Sequence, residues 1–200
     1  MHPVIFQAFE RLLREADPDG RRCKGRVLEI GAMPAADTLL NLPALRGAAF
    51  RLGVNLAPAS RQPGFEIRQG DANRLDLDSD DFDLVVSNST LEHDRRFWLT
   101  LAEARRVLKP GGLLLLGVPG FGGGAGWARC KRLLGSVPLL RRRLAGWRVS
   151  ELTLARHDLP RDYWRFGEAA AREILLEGLE PLAVERLLEP PRFLVVGRKP

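Results

Sequence analysis

Apolar residues recur along this chain in two periods. Ile5, Phe9, Leu12 and Ala16 return at helical spacing, and Asp17-Pro18-Asp19-Gly20 closes the run, so an N-terminal helix is predicted. Residues 25–31 form a short apolar run closed by glycine, the pattern of a buried strand entering a turn. Residues 37–45 predict a short helix limited by Pro43. Further strands are predicted at 50–56, at 65–71 with alternating polarity, and at 82–87, which is apolar enough for burial on both faces. Phe97, Leu101, Ala104 and Leu108 form one helical stripe, stopped by Pro110-Gly111-Gly112. A fifth strand at 113–118 leads into a glycine-rich loop at 120–126. A helix at 167–178 and strands at 182–187 and 193–196 complete the series.

Strands alternating with helices, with the strands apolar throughout, predict an open α/β sheet covered by helices on both faces. In such sheets ligands bind beyond the carboxyl ends of the strands, so the residues that follow each strand matter most. The length of 200 residues suits one domain. No apolar run reaches the roughly 20 residues of a membrane span. The segment Met1-His2-Pro3-Val4-Ile5-Phe6 does not read as a secretory signal. Cys23 and Cys130 are too few for a disulfide framework or a cysteine-based metal site, so no metal and a cytoplasmic setting are expected.

The net charge of +6 arises from 31 basic and 25 acidic residues. It is not evenly spread. From Ala104 to Ser150 there is no Asp or Glu, and ten basic residues fall there; elsewhere acids outnumber bases. Within this stretch, residues 127–148 carry Trp127, Cys130 and Leu134, then Leu140, Leu144 and Trp147, as two apolar stripes beside Arg141, Arg142 and Arg143. Such basic amphipathic helices suit contact with an anionic membrane surface, which would place the protein at the inner membrane face. They equally suit a lid over an anionic substrate, or a solvated hairpin packed on the domain.

The turns after the strands read Glu29-Ile30-Gly31-Ala32-Met33, Asn55-Leu56, Gly70-Asp71-Ala72 and Ser87-Asn88-Ser89-Thr90-Leu91-Glu92-His93. A small-residue turn after the first strand lets backbone approach a ligand and aims helix N–H groups at it. This ordered set, with DDFDLVVSNSTLEH, RRVLKPGG and LLLLGVP between Asp81 and Pro119, resembles the class I S-adenosylmethionine-dependent methyltransferases in their type 11 branch. The resemblance covers residues 24–119. The later run Asp162-Tyr163-Trp164-Arg165-Phe166 is similar to a DYWRF element of saccharide-pathway methyltransferases, and residues 120–156 read as a basic helical insertion within a single domain of residues 1–200.

The resemblance implies a Rossmann-like methyltransferase fold, with a mostly parallel seven-stranded sheet and an antiparallel last strand. It implies S-adenosylmethionine as cofactor. Glu29 would orient the turn and the cofactor's amino group, with Gly31, Ala32 and Met33 at its methionine part. Asn55 and Leu56 would stand where the family places its ribose-binding acid. Asp71 and Ala72 would meet the adenine, and Ser87 and Asn88 would line the methionine end. His93, His157 and Tyr163 are the candidates for handling the acceptor's proton; a base is needed only for a hydroxyl or protonated amine. The chain departs from the family's E-x-G-x-G-x-G turn, keeping only its first glycine, and carries Asn55 for Asp or Glu.

The expected reaction is methyl transfer to a small-molecule or saccharide-like acceptor, including a lipid-linked one. The alternatives are a methyltransferase-fold binding protein without catalysis and an RNA methyltransferase. A dinucleotide dehydrogenase is excluded, since it wants G-x-G-x-x-G and an acid after the second strand. The turn after the fourth strand also lacks the Asn/Asp-Pro-Pro-aromatic signature of base-amino methylases, which argues against nucleic acid as a partner.

Overall fold

The computed structural model describes residues 2–35, 38–121, 162–188 and 191–200. Helix α1 spans Pro3–Ala16 and buries Ile5, Phe9, Leu12 and Leu13. It stops where the Asp17 N–H bonds the Leu13 carbonyl. The buried Asp17 carboxylate then accepts from the Cys23 N–H at 2.8 Å. Strands β1 (Arg26–Ile30), β2 (Phe50–Asn55), β3 (Ser60–Gln62), β4 (Phe65–Gln69) and β5 (Phe82–Asn88) follow. Helix α2 (Phe97–Val107) leads into β6 (Leu108–Pro119), and β7 (Glu180–Leu187) and β8 (Arg192–Arg198) end the fold.

The eight strands lie in one sheet in the order β3-β4-β2-β1-β5-β6-β8-β7. Strands β4, β2, β1, β5 and β6 run parallel, while β8 is antiparallel to both β6 and β7. The antiparallel last strand is therefore as expected, and the sheet has one strand more than the expected seven. The extra strand, β3, is a three-residue polar segment that turns through Pro63-Gly64, with Gly64 at φ +86°, to pair antiparallel with β4. Three polar residues offer no apolar periodicity, which is why the pattern did not reveal them.

Alternation along the central strands sorts their side chains into two cores. Leu28, Val85, Leu114, Leu116 and Val195 face α2 and a π-type turn at Ala170–Ile174. Val27, Leu84, Val86, Leu113, Leu115 and Val196 face α1 and two short 3₁₀ turns. Both faces are buried, as the continuous apolar strands predicted.

Three helix predictions change. Of the stretch predicted as a helix over 37–45, the described residues 38–45 form no α-helix. Two 3₁₀ turns, Leu39–Asn41 and Pro43–Leu45, are separated by Leu42 at ψ 135°. A residue preceding proline is pushed out of the α region, so Pro43 breaks the winding at Leu42. Helix α2 ends at Val107, and Leu108 already pairs with Phe82 as sheet. The helix read over 167–178 winds regularly only around Ala170–Ile174, before Gly178 at φ +72°.

Candidate functional site

The strand order reverses at β1: β2 lies on one side of it and β5 on the other. The crevice beyond the carboxyl ends of β1 and β5 is the place where an open α/β sheet takes its ligand. The Ser87 hydroxyl bridges the two strands there, donating to the Ile30 carbonyl at 2.8 Å.

The turn after β1 is set by contacts on both sides. Gly31 has φ +84°, and a Cβ on it would drive into the Thr90 side chain. Glycine is thus required twice, by the backbone and by the close approach. The Gly31 and Ala32 N–H groups both donate to the Val54 carbonyl, at 2.8 and 3.2 Å. Glu29 is buried behind this turn. Its carboxylate accepts from the Thr38 hydroxyl at 2.5 Å and from the Leu40 N–H at 3.1 Å. Burial pushes its carboxyl up to about 6, against the opposing pull of the Thr38 hydroxyl and the backbone N–H groups of Leu39 and Leu40. Glu29 thus orients the loop, and its carboxylate is engaged there.

Asn55, at the end of β2, is engaged at both ends of its amide. Nδ2 donates to the Ala32 carbonyl at 2.7 Å and lies 3.3 Å from the Met33 sulfur, while Oδ1 accepts from the Ala57 N–H at 3.0 Å. This explains the departure from an acid: a carboxylate has no hydrogen to give the Ala32 carbonyl. Met33 and Leu56 stand exposed beside it.

Asp71 is exposed after β4, and its Oδ1 accepts from the Asn73 N–H at 2.9 Å. Asn73 ties this turn to the segment before α2 and to α2 itself, donating to Asp94 at 2.6 Å and to the Thr100 hydroxyl at 3.0 Å. Ala72 packs at the edge of the core under α2. Asn88, at the end of β5, has a buried Oδ1 with no hydrogen-bond partner; it lies over Gly117, where a Cβ would strike it.

His93 closes the 3₁₀ turn Leu91–His93 and is half-buried. Tyr163 is exposed, and its backbone N–H donates to the Glu92 carbonyl at 2.7 Å, which ties its backbone to the turn that ends in His93. Trp164 joins them through its indole N–H on the Asp94 carbonyl at 2.8 Å and its edge contacts with Phe97 and Trp98. His157 and the basic stretch 127–148 lie outside the described residues. The pattern missed three residues of this region. Ser89 has a left-handed backbone at φ +55°; Glu92 is fully buried; Arg192 reaches in from β8.

Sheet order and crevice together define the fold class: a Rossmann-like class I methyltransferase fold. Residues 46–116 match the family model described as a methyltransferase domain. A phthiotriol/phenolphthiotriol dimycocerosates methyltransferase of Mycobacterium leprae is 33% identical over 97 residues, covering 44% of this chain and 36% of that protein. Among solved structures, the Burkholderia thailandensis 1,6-didemethyltoxoflavin-N1-methyltransferase, with bound S-adenosylhomocysteine, superposes with a TM-score of 0.64 at 19% identity, covering 97% of this chain and 77% of that one. A SAM-dependent methyltransferase of Methanosarcina mazei superposes with a TM-score of 0.58 at 18% identity, over 100% and 98% of the two chains. The chain spans 16% and 36% of the length of the curated relatives it matches. Among the described residues, no helix is long and apolar enough to cross a membrane.

Proposed function

We propose that the chain is an S-adenosylmethionine-dependent methyltransferase with a small-molecule acceptor. The observation that carries this reading is the Gly31 turn pressed against Thr90 at the point where the strand order reverses, flanked by Asp71 and Asn88.

The residues present fit the cofactor at its two ends. Asp71 keeps a carboxylate oxygen for the adenine amino group beside Ala72, and the unpartnered Oδ1 of Asn88 suits a donor at the methionine end. The fit is poorer at the ribose, because both ends of the Asn55 amide are already bonded. When bound, the cofactor supplies a methyl group activated on a sulfonium. The protein's own work is then orientation and water exclusion, with proton removal at the acceptor. His93 and Tyr163 stand at the acceptor side, and His93 serves as base for a hydroxyl or ammonium acceptor. Exposed Trp98, Phe121, Tyr163 and Trp164 follow the carboxyl ends of β5 and β6 and favour an acceptor with an apolar part. The M. leprae relative, named for a dimycocerosate substrate, supports a lipid-linked acceptor over a bare saccharide. Contact with an anionic membrane rests on the basic residues of 127–148.

The Asn55 amide, tied to backbone at both ends, favours one second reading, a methyltransferase-fold binding protein with weak cofactor affinity. Calorimetric titration with S-adenosylhomocysteine and S-adenosylmethionine separates the two. The enzyme reading expects saturable one-to-one binding, and a folded protein that evolves no heat with either ligand overturns it.

A further inference from the structure

The turn after β5 buries a carboxylate that the proposed chemistry does not use. Glu92 is fully buried, and neither of its oxygens has a hydrogen-bond partner. Arg192, at the start of β8, places Nη2 3.8 Å from Oε1. The Arg192 side chain is itself only 15% exposed, and its Nε also lacks a partner. Burial pushes the Glu92 carboxyl above the usual carboxylate range and holds the Arg192 guanidinium below its own, while their mutual attraction opposes both shifts. A buried pair whose carboxylate accepts no hydrogen bond is a poor source of stability.

Arg192 donates through Nη2 to the Ser89 hydroxyl. Ser89 is one of three non-glycine residues at positive φ among those described. A serine occupies that region only when its surroundings impose it. Its N–H donates to the Gly117 carbonyl at 2.9 Å. Thr90 comes next: its hydroxyl reaches the Ile30 and Asn88 carbonyls, both at 3.3 Å, and its side chain fills the space that a Cβ on Gly31 would need. A continuous path of contacts thus runs from Glu92 through Arg192, Ser89 and Thr90 to Gly31.

We infer that Glu92 and Arg192 are positioning residues: the pair fixes the guanidinium so that it holds Ser89 left-handed, and this sets Thr90 against the Gly31 turn. The consequence for cofactor affinity rests on the function proposed above; the conformational role does not. The Glu92 carbonyl extends the unit, since it accepts from the N–H groups of both Tyr163 and Trp164 at 2.7 and 3.2 Å.

The test is a Glu92→Leu/Arg192→Met double variant, because replacing a buried ion pair with apolar side chains often leaves stability intact. Melting within a few degrees of the natural protein is expected. The Ser89 amide should exchange hydrogen at least about tenfold faster, and S-adenosylhomocysteine should bind about tenfold more weakly, the scale of one charge-assisted hydrogen bond. Adding Ser89→Gly should recover part of that affinity, because glycine takes positive φ without a tether. A folded double variant with unchanged exchange and unchanged affinity overturns the proposal. If the double variant does not fold, Ser89→Ala, which removes only the acceptor of Arg192, is read by the same exchange measurement; unchanged protection there overturns it too. If the natural protein binds no S-adenosylhomocysteine, the cofactor reading fails, and amide exchange still decides the positioning role.

Discussion

The two halves of the crevice are built differently. On the β1–β2 side the buried or tethered polar side chains are satisfied: Glu29 by Thr38 and Leu40, Asn55 by Ala32 and Ala57. On the β5–β8 side Asn88, Glu92 and Arg192 all keep buried polar atoms without hydrogen-bond partners. The first half is held together by its own bonds. The second half stores uncompensated polarity, which native proteins retain mainly where a ligand or a conformational task requires it.

The largest break in this contrast is expected at Gly31. Gly31→Ala combines strained positive φ with a clash on Thr90, and should cost about 3 kcal/mol or more in urea unfolding. An alanine variant of natural stability would mean that the turn adapts freely and that the two halves are not pressed together.

Glu29 gives the next effect. Its folded carboxyl, at about 6, lies above the ordinary value of 4.5, so the folded state holds its proton more tightly than the unfolded chain. The stability this confers is complete below the unfolded value and is lost as pH rises through the folded one. The shift corresponds to about 2 kcal/mol at full ionisation. Between pH 4 and 7 the natural protein should therefore lose about 2 kcal/mol relative to Glu29→Gln, seen as converging or crossing denaturation curves. Parallel curves across that window would show that the Glu29 site is not as dry as the contrast requires.

Asn55→Asp probes the same half more gently. It removes the donor to the Ala32 carbonyl and places a carboxylate beside that oxygen, which should cost about 1 kcal/mol and lower the melting temperature. A more stable aspartate variant would mean that the amide is not the tie between β2 and the β1 turn.

Much of the fold could be read in the sequence because each central strand is an apolar run bounded by glycine or turn residues. The succession of strands along the chain and the two covered faces follow from that, while the antiparallel last strand follows from the family resemblance. The failures are local. Pro43 acts one residue upstream, on Leu42, and so breaks the helix expected over 37–45, while β3 is too short and polar to show a period. In the candidate site, a place at or just past the carboxyl end of a strand, together with the family resemblance, is the signal that singles out Gly31, Ser87 and Asp71. Glu92 was passed over for its neighbour His93. An acid in a short turn has no periodicity, and the residue that pairs with it, Arg192, lies a hundred positions further along the chain. Asn55 stands out by its place at the end of a strand, but its amide donates to the Ala32 carbonyl of another turn, which no spacing announces.

A crystal structure with S-adenosylhomocysteine decides whether the crevice beyond β1 and β5 holds the cofactor. The ligand should lie over the Gly31 turn, with its adenine against Asp71 and Ala72 and its methionine end toward Asn88. Density for the ligand elsewhere on the protein, with this crevice closed by its own side chains, would contradict the account.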